Sequence, residues 1–257
     1  GGHSGNFGHW MIEHISQLLC FLEIPETRNC PILIDRGMPR QHRESLELIV
    51  GQEHKLIVVP QGQKVHCDKL WVCSTPIYSP KILWAAKDLS NLACTAELPA
   101  RLMQKEWSKI DERLGIEPGG NEKLYLVRSP KAKRKLLNFE EVESHLSEIG
   151  FQTTRPEALS FEEQFRRLRQ SDRIVIQTGS AMFGLYMCRP GTRVLFLTNG
   201  NVELLSSWNA VLQELGIDLT VVSGPSPKGQ FPRAGVADYS IPLHLLKEGL
   251  DSIGVTT

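Results

Sequence analysis

The chain has 257 residues, 41% of them hydrophobic and 23% charged, a balance that argues against a mostly disordered polypeptide. At about 150 residues per domain, the length fits one large domain or two smaller ones. Lys+Arg and Asp+Glu both number 29, so the net charge is zero; a global polycation built to hold nucleic acid is excluded, and only a local basic patch stays open.

Six cysteines stand at 20, 30, 67, 73, 94 and 188, and no pair has C-x-x-C spacing. Six is too few for a disulfide scaffold at this length, so reduced thiols and a cytoplasmic setting are expected. No apolar run reaches the roughly 18 residues that span a bilayer.

Residues 8–24 read as a helix, with Met11, Ile15, Leu18 and Leu22 at helical spacing, Asn6 as N-cap and Pro25 closing the segment. Short apolar runs at 31–34, 56–60 and 70–74 read as strands, with a helix near 40–51. Such alternation predicts a parallel sheet covered on both faces. Residues 97–114 read as a charged helix, and Glu117-Pro-Gly-Gly-Asn121 is the strongest loop signal in the chain, which places a domain boundary there.

The alternation then restarts. Strands are expected at 124–127, 151–154, 173–177, 193–197 and 219–222, with helices at 139–149, 161–170, 181–188 and 202–215. This is a βαβ series of the nucleotide-binding kind. A Gly/Pro-rich surface loop is expected over 225–235 and a closing helix over 243–253. The expected domains are 1–118, 119–240, and a closing helix and tail over 241–257.

Two features of the second half point to chemistry. Arg128, Lys131, Lys133, Arg134 and Lys135 follow a predicted strand, at the edge where open α/β sheets bind ligands. Arginine and lysine there suit a phosphate or diphosphate, although a charge run is more often a solvated loop. Gln177-Thr-Gly-Ser-Ala181 lies between a strand and a helix, and its small residues let a phosphate approach backbone N–H groups. A tight βα turn packed on small residues reads equally well. On neighbouring strand ends, the two features together favour a nucleotide diphosphate pocket. No G-x-G-x-x-G follows the first strand, no P-loop occurs, and no D-x-D pair supplies carboxylates for a metal. The leaving charge would then be met by Arg, Lys and helix N-termini.

In the first half, Asn6-Phe-Gly-His-Trp-Met-Ile-Glu-His14 is the densest cluster of reactive side chains. His9 and Glu13 are four apart and share a helix face, so Glu13 can orient His9 as a general base. A helix-start histidine in a surface ion pair is the plain alternative. His9 and His14 are five apart, off the spacing that holds zinc on a helix.

The stretch Asn6-Phe-Gly-His-Trp-x-x-Glu13 resembles the N-terminal signature of the glycosyltransferase family 61 / capsular-polysaccharide-biosynthesis group. Leu124-Tyr-Leu-Val-Arg128 followed by Arg134-Lys-Leu-Leu-Asn138 is similar to that family's strand–Arg–Arg–Asn block. Phe151 through Glu157, then Ser160 and Glu163-Gln164, resembles its Glu-x-x-Ser-x-x-Glu-Gln segment. Asp172 to Gly179 resembles its turn, followed by Pro190-Gly191-Thr192, and Asp238-Tyr239 fits before the final helix. Departures occur at Thr178, Ser180, Gly184 and Phe139, and they bear on the donor more than on the fold.

The resemblance implies an α/β protein of GT-B type: two Rossmann-like domains with mostly parallel sheets facing an inter-domain cleft. It implies an inverting transferase that moves a sugar from a nucleotide-diphosphate donor to a glycan or lipid-linked acceptor, with no required metal or other cofactor. The family pattern begins upstream of Gly1, so further N-terminal strands of the first domain are expected. His9 and Glu13 are the implied catalytic pair. Arg128, Arg134, Asn138, Glu157, Thr178, Gly179, Ser180 and Ala181 are the implied donor-binding set, with Glu157 on ribose hydroxyls. A role in surface or capsular polysaccharide synthesis implies a cytoplasmic protein and leaves peripheral membrane association open. A non-catalytic nucleotide-sugar-binding subunit and a phosphate-ester hydrolase are the rival readings.

Overall fold

A computed structural model describes residues 5–74, 76, 96–129, 133–200, 205–227 and 237–256. The chain falls into two compact units: Gly1–Gly115 with Ser160–Glu163, and Ile116–Leu159 with Gln164–Thr257. Among the described residues, no helix is long and apolar enough to cross a membrane.

The first unit opens with a continuous helical run. It is α-helical over Phe7–His9 (α1), π-helical over Trp10–Ile15, and α-helical again over Ser16–Leu22 (α2). Asn6 caps it as expected, its side chain accepting from the N–H of Gly8 at 2.8 Å. Met11, Ile15 and Leu18 are buried, whereas Leu22 is only partly so. Trp10, Ile12, Glu13 and Leu19 are buried as well, so burial extends beyond the one stripe that the sequence outlines.

Strands β1 (Ile32–Asp35) and β2 (Leu56–Val59) pair in parallel, with Ile32 opposite Leu56, and helix α3 (Arg40–Val50) connects them. Helix α4 (Glu97–Leu114) packs on α2 and α3. Met103, Trp107 and Ile110 are fully buried at helical spacing, and Gly115 closes the helix at φ 63, a left-handed cap that glycine adopts without cost. The strand expected at 70–74 does not form, and this is a correction. A strand needs a partner and a face to bury. Here Leu70 and Val72 are 66% and 80% exposed, and the Gln17 amide holds the carbonyl of Cys73.

The second unit is built on five parallel strands: β3 (Glu122–Leu126), β4 (Gln152–Thr154), β5 (Ser171–Gln177), β6 (Arg193–Thr198) and β7 (Asp218–Ser223). Their spatial order is β4-β3-β5-β6-β7. One face carries Tyr125, Val175, Leu195 and Leu197 against helix α5 (Phe139–Glu148) and helix α8 (Leu243–Ser252). On the other face Leu124 and Leu126 border the same space as Leu168 of helix α6 (Phe161–Gln170) and Gly184, and Phe196 meets Trp208 of helix α7 (Leu205–Glu214). Apolar side chains on both faces explain the near-continuous hydrophobic strands. The helix expected at 181–188 is a 3₁₀ helix over Ser180–Met187. The start of the helix expected at 202–215 and most of the loop expected at 225–235 lie outside the described residues.

This strand order is that of a doubly wound sheet. The chain leaves β3 toward β4 on one side and returns to β5 on the other. Ligands of such sheets bind beyond the carboxyl ends of the two strands where the order reverses, here β3 and β5.

Candidate active site

Arg128 follows β3 by two residues, and Thr178 and Gly179 directly follow β5, so the sequence reversal brings them together. The Arg128 guanidinium donates through Nη1 to the carbonyl of Thr178, and the Arg128 backbone N–H donates to Oε1 of Gln177 at 3.3 Å. Gln177 in turn donates through Nε2 to the Tyr125 hydroxyl at 2.6 Å. Gly179 leaves the space this arrangement requires: a Cβ there would collide with Nη1 of Arg128.

Arg134 stands in the left-handed region at φ 62, one of two non-glycine residues with positive φ among those described. Such backbone costs roughly 1–3 kcal/mol and clusters at functional sites. It is held by the chain that follows. Leu136 forms a parallel bridge with Tyr239, the N–H of Tyr239 donates to Lys135 at 3.0 Å, and the N–H of Lys135 donates to Asp238 at 2.7 Å.

Both arginines are half-buried. Burial lowers the affinity of each guanidinium for its proton, and the charge of Arg134 lowers that of Arg128 further. Tyr239 lies beside both. Its hydroxyl donates to the carbonyl of Leu197 at 3.1 Å, which also accepts the N–H of Thr178 at 2.9 Å. Burial raises the Tyr239 hydroxyl well above its ordinary value, against the pull of the Thr178 backbone and the two arginines. Glu157, in an exposed 3₁₀ turn after β4, acts electrostatically on Arg128.

The basic run therefore divides. Arg128 and Arg134 are half-buried, whereas Lys133 and Lys135 are exposed as a solvated loop would be. Lys131 lies outside the described residues. In the 3₁₀ helix the first internal bond runs from the N–H of Met182 to Gly179 at 3.1 Å, so the N–H groups of Ser180 and Ala181 precede it. Asn138 has a different geometry. Its amide donates to Ile241 and to Glu141, both at 2.8 Å, and accepts from the N–H of Ile241 at 3.0 Å. It pins the 238–241 segment behind Arg134. Ser160 and Glu163 form a reciprocal capping box at the start of α6, with Ser160 Oγ 2.7 Å from Glu163 Oε2.

In the first unit, His9 Nδ1 and Glu13 Oε1 are 2.7 Å apart across one turn. The pair is not a surface ion pair: the side chains are only 13% and 11% exposed. With Nδ1–H donating to the carboxylate, Nε2 becomes the lone-pair nitrogen that can accept a proton. Glu13 lies in the π-helical segment and His9 just precedes it, and π segments occur frequently at functional sites. On the same segment Trp10 stacks on His42, with ring centroids 4.7 Å apart, and on His14 at 5.4 Å, while its indole N–H donates to Ser45 at 2.8 Å. Burial lowers the affinity of His14 for its proton, and Glu13 opposes that shift.

Gln177 and Tyr239 both lie in stretches the sequence singles out, yet their contacts are not legible there. Gln177 carries a signal, a polar residue ending the apolar run Ile174-Val175-Ile176. Tyr239 carries none in its neighbourhood, because its partners lie more than forty positions away in the chain.

Residues 7–195 match the family described as Glycosyltransferase 61. No curated protein matches the chain.

Proposed function

Because the chain belongs to the glycosyltransferase 61 family, we propose that it transfers a sugar from a nucleotide-diphosphate donor to a glycan hydroxyl, with inversion at the anomeric carbon and without a required metal ion. The observation that carries this reading is the pair Arg128 and Arg134, half-buried beside each other at the strand reversal, with no carboxylate at ion-pair distance among the described residues. Two such cations are costly without an anion, and a diphosphate supplies it.

The chemistry follows from the groups present. His9 removes the proton of the acceptor hydroxyl, and Glu13 orients the imidazole and balances its new charge. The alternative, Glu13 as the base itself, is the weaker reading because that carboxylate is buried and engaged with His9. The acceptor oxygen forms its bond to the anomeric carbon as the bond from that carbon to the diphosphate oxygen breaks. Negative charge gathers on the leaving diphosphate, where Arg128, Arg134 and the N–H groups of Gly179, Ser180 and Ala181 meet it. Thr178 and Tyr239 set the position of Arg128, and Glu157 accepts from ribose hydroxyls. Asn138 serves by holding the segment behind Arg134.

The fold that goes with this reading is GT-B: an acceptor-side Rossmann-like domain over 1–118, a donor-binding one over 119–240, and a closing helix and tail over 241–257. The process is surface or capsular polysaccharide synthesis at the cytoplasmic side of the membrane, with a nucleotide sugar and a glycan or lipid-linked acceptor as partners.

A thermal-shift screen of nucleoside diphosphates and their sugars, with and without EDTA, tests it. One nucleotide should raise the melting temperature in both conditions, by about 2.7 kcal/mol of stabilisation at a hundred times its Kd. No shift from any nucleotide on folded protein would overturn the donor site. A shift lost in EDTA would overturn metal independence. Full-rate release of free sugar without acceptor would favour hydrolysis, and tight binding with no transfer to any glycan would favour a binding subunit.

A further inference from the structure

The first unit contains a cavity of about 500 Å³ that the proposed chemistry does not use. That is the size of an ordinary small-ligand site. It lies between the helical run, strand β1 and the extended segment that carries Trp71. Trp10 and His14, which share the π-helical segment with Glu13, form part of its wall.

Its side chains narrow what it can hold. A sugar ring asks for an open aromatic face and several polar groups. Trp10 already stacks on His42 and His14, and the Lys69 ammonium sits 4.1 Å over the Trp71 ring. The Gln17 amide holds the carbonyl of Cys73, and Asp35 accepts the N–H of Gly37 at 2.7 Å. What remains toward the cavity is apolar: Leu18, Phe21, Ile32, Ile34 and Met38 among others. Leu70 and Val72 continue that surface to the outside, 66% and 80% exposed. Three cysteines, Cys30, Cys67 and Cys73, also line it, and Nε2 of His14 is buried without a hydrogen-bond partner among the described residues.

We propose that this cavity binds a linear hydrocarbon chain carried by the acceptor, the lipid portion of a lipid-linked glycan. The proposal rests on the reading of the first unit as the acceptor side. Val72 and Leu70 form the lip where the chain enters. Trp10 and His14 in its wall are chain neighbours of His9 and Glu13, so an acceptor anchored here is tethered near the proposed base.

Calorimetric titration of the full chain with n-alkyl β-glucosides from butyl to decyl, kept below micelle concentrations, tests the proposal, with glucose as control. Affinity should rise about fourfold per added methylene and level off when the cavity is full. Val72→Asp, at an exposed lip position that does not threaten folding, should flatten that rise, and Ile32→Trp should move the plateau to shorter chains. Affinity that does not depend on chain length, or that rises equally in Val72→Asp, overturns the proposal. A nucleotide thermal shift measured on the same samples separates the two readings. If it persists while chain length has no effect, the lipid site fails and the transferase reading stands. If it is absent while the chain-length series holds, the donor reading fails and the apolar site stands.

Discussion

Gly179 has extended backbone that any residue adopts, so its constraint is space rather than conformation. The obstacle to a Cβ is the Arg128 guanidinium, which is the movable end of a long side chain. Gly179→Ala should therefore leave the fold nearly as stable and displace Arg128 from the carbonyl of Thr178. Losing a charge-assisted hydrogen bond to an anion costs about 1.5–3 kcal/mol, so nucleotide affinity should fall roughly ten- to a hundredfold with little change in melting temperature. A variant that unfolds, or one that binds nucleotide normally, would remove Arg128 from the site. His14 makes a second prediction at this scale. Its folded-state proton affinity is lowered from the ordinary value of 6.5, chiefly by burial. The unfolded chain then takes up a proton at His14 before the folded protein does. The stability linked to His14 is complete above about pH 6.5 and is lost as pH falls toward the lowered folded value. The melting temperature should decline between pH 7.5 and 5.5, and His14→Asn should make that decline shallower; an unchanged slope would place its source elsewhere.

At the scale of elements, Gly249 shows what the sequence pattern does not carry. A glycine inside a helix normally weakens it by about 1 kcal/mol relative to alanine. In α8 it lets the helix approach the sheet: a Cβ at Gly249 would stand 2.7 Å from both Leu195 and Val222. Overpacking costs roughly 1–3 kcal/mol, so Gly249→Ala should lose up to about 2 kcal/mol net despite the better helix former, read as a lower denaturation midpoint. The elements that were legible are those with a strong period or a strong stop. Helix α4 runs over Glu97–Leu114 and helix α6 over Phe161–Gln170, the ranges read from the sequence. The π-helical segment was not legible, because its residues keep helical spacing and only the hydrogen-bond ladder differs. The 70–74 run misled for the opposite reason. Its composition suits a strand, yet a strand is defined by its partner, and no local pattern reports one.

At the scale of the whole molecule, the five strands of the second unit could be read in order, but not their placement, since the reversal between β3 and β5 is made by crossovers rather than by any residue type. That reversal joins Arg128 to Thr178 across fifty positions, and the pairing of residues 135–137 with Tyr239 spans about a hundred. The candidate site residues stand out where a motif concentrates them, as at His9 and Glu13 or at 177–181. What stays hidden is which of them meet, as where long-range pairing brings Tyr239 to Leu197 and Lys135. The same division separates the two halves of the chemistry. If His9 is the base and Arg134 binds the leaving diphosphate, each can be lost without the other. His9→Ala should lower transfer by about a hundred- to ten-thousandfold, the usual worth of a general base, while the nucleotide thermal shift stays intact. Arg134→Ala should shrink that thermal shift and reduce turnover, with the unliganded melting temperature changing much less. A His9→Ala enzyme that keeps full transfer would assign the proton to another group. One that loses nucleotide binding would show that the first unit contributes to the donor site as well.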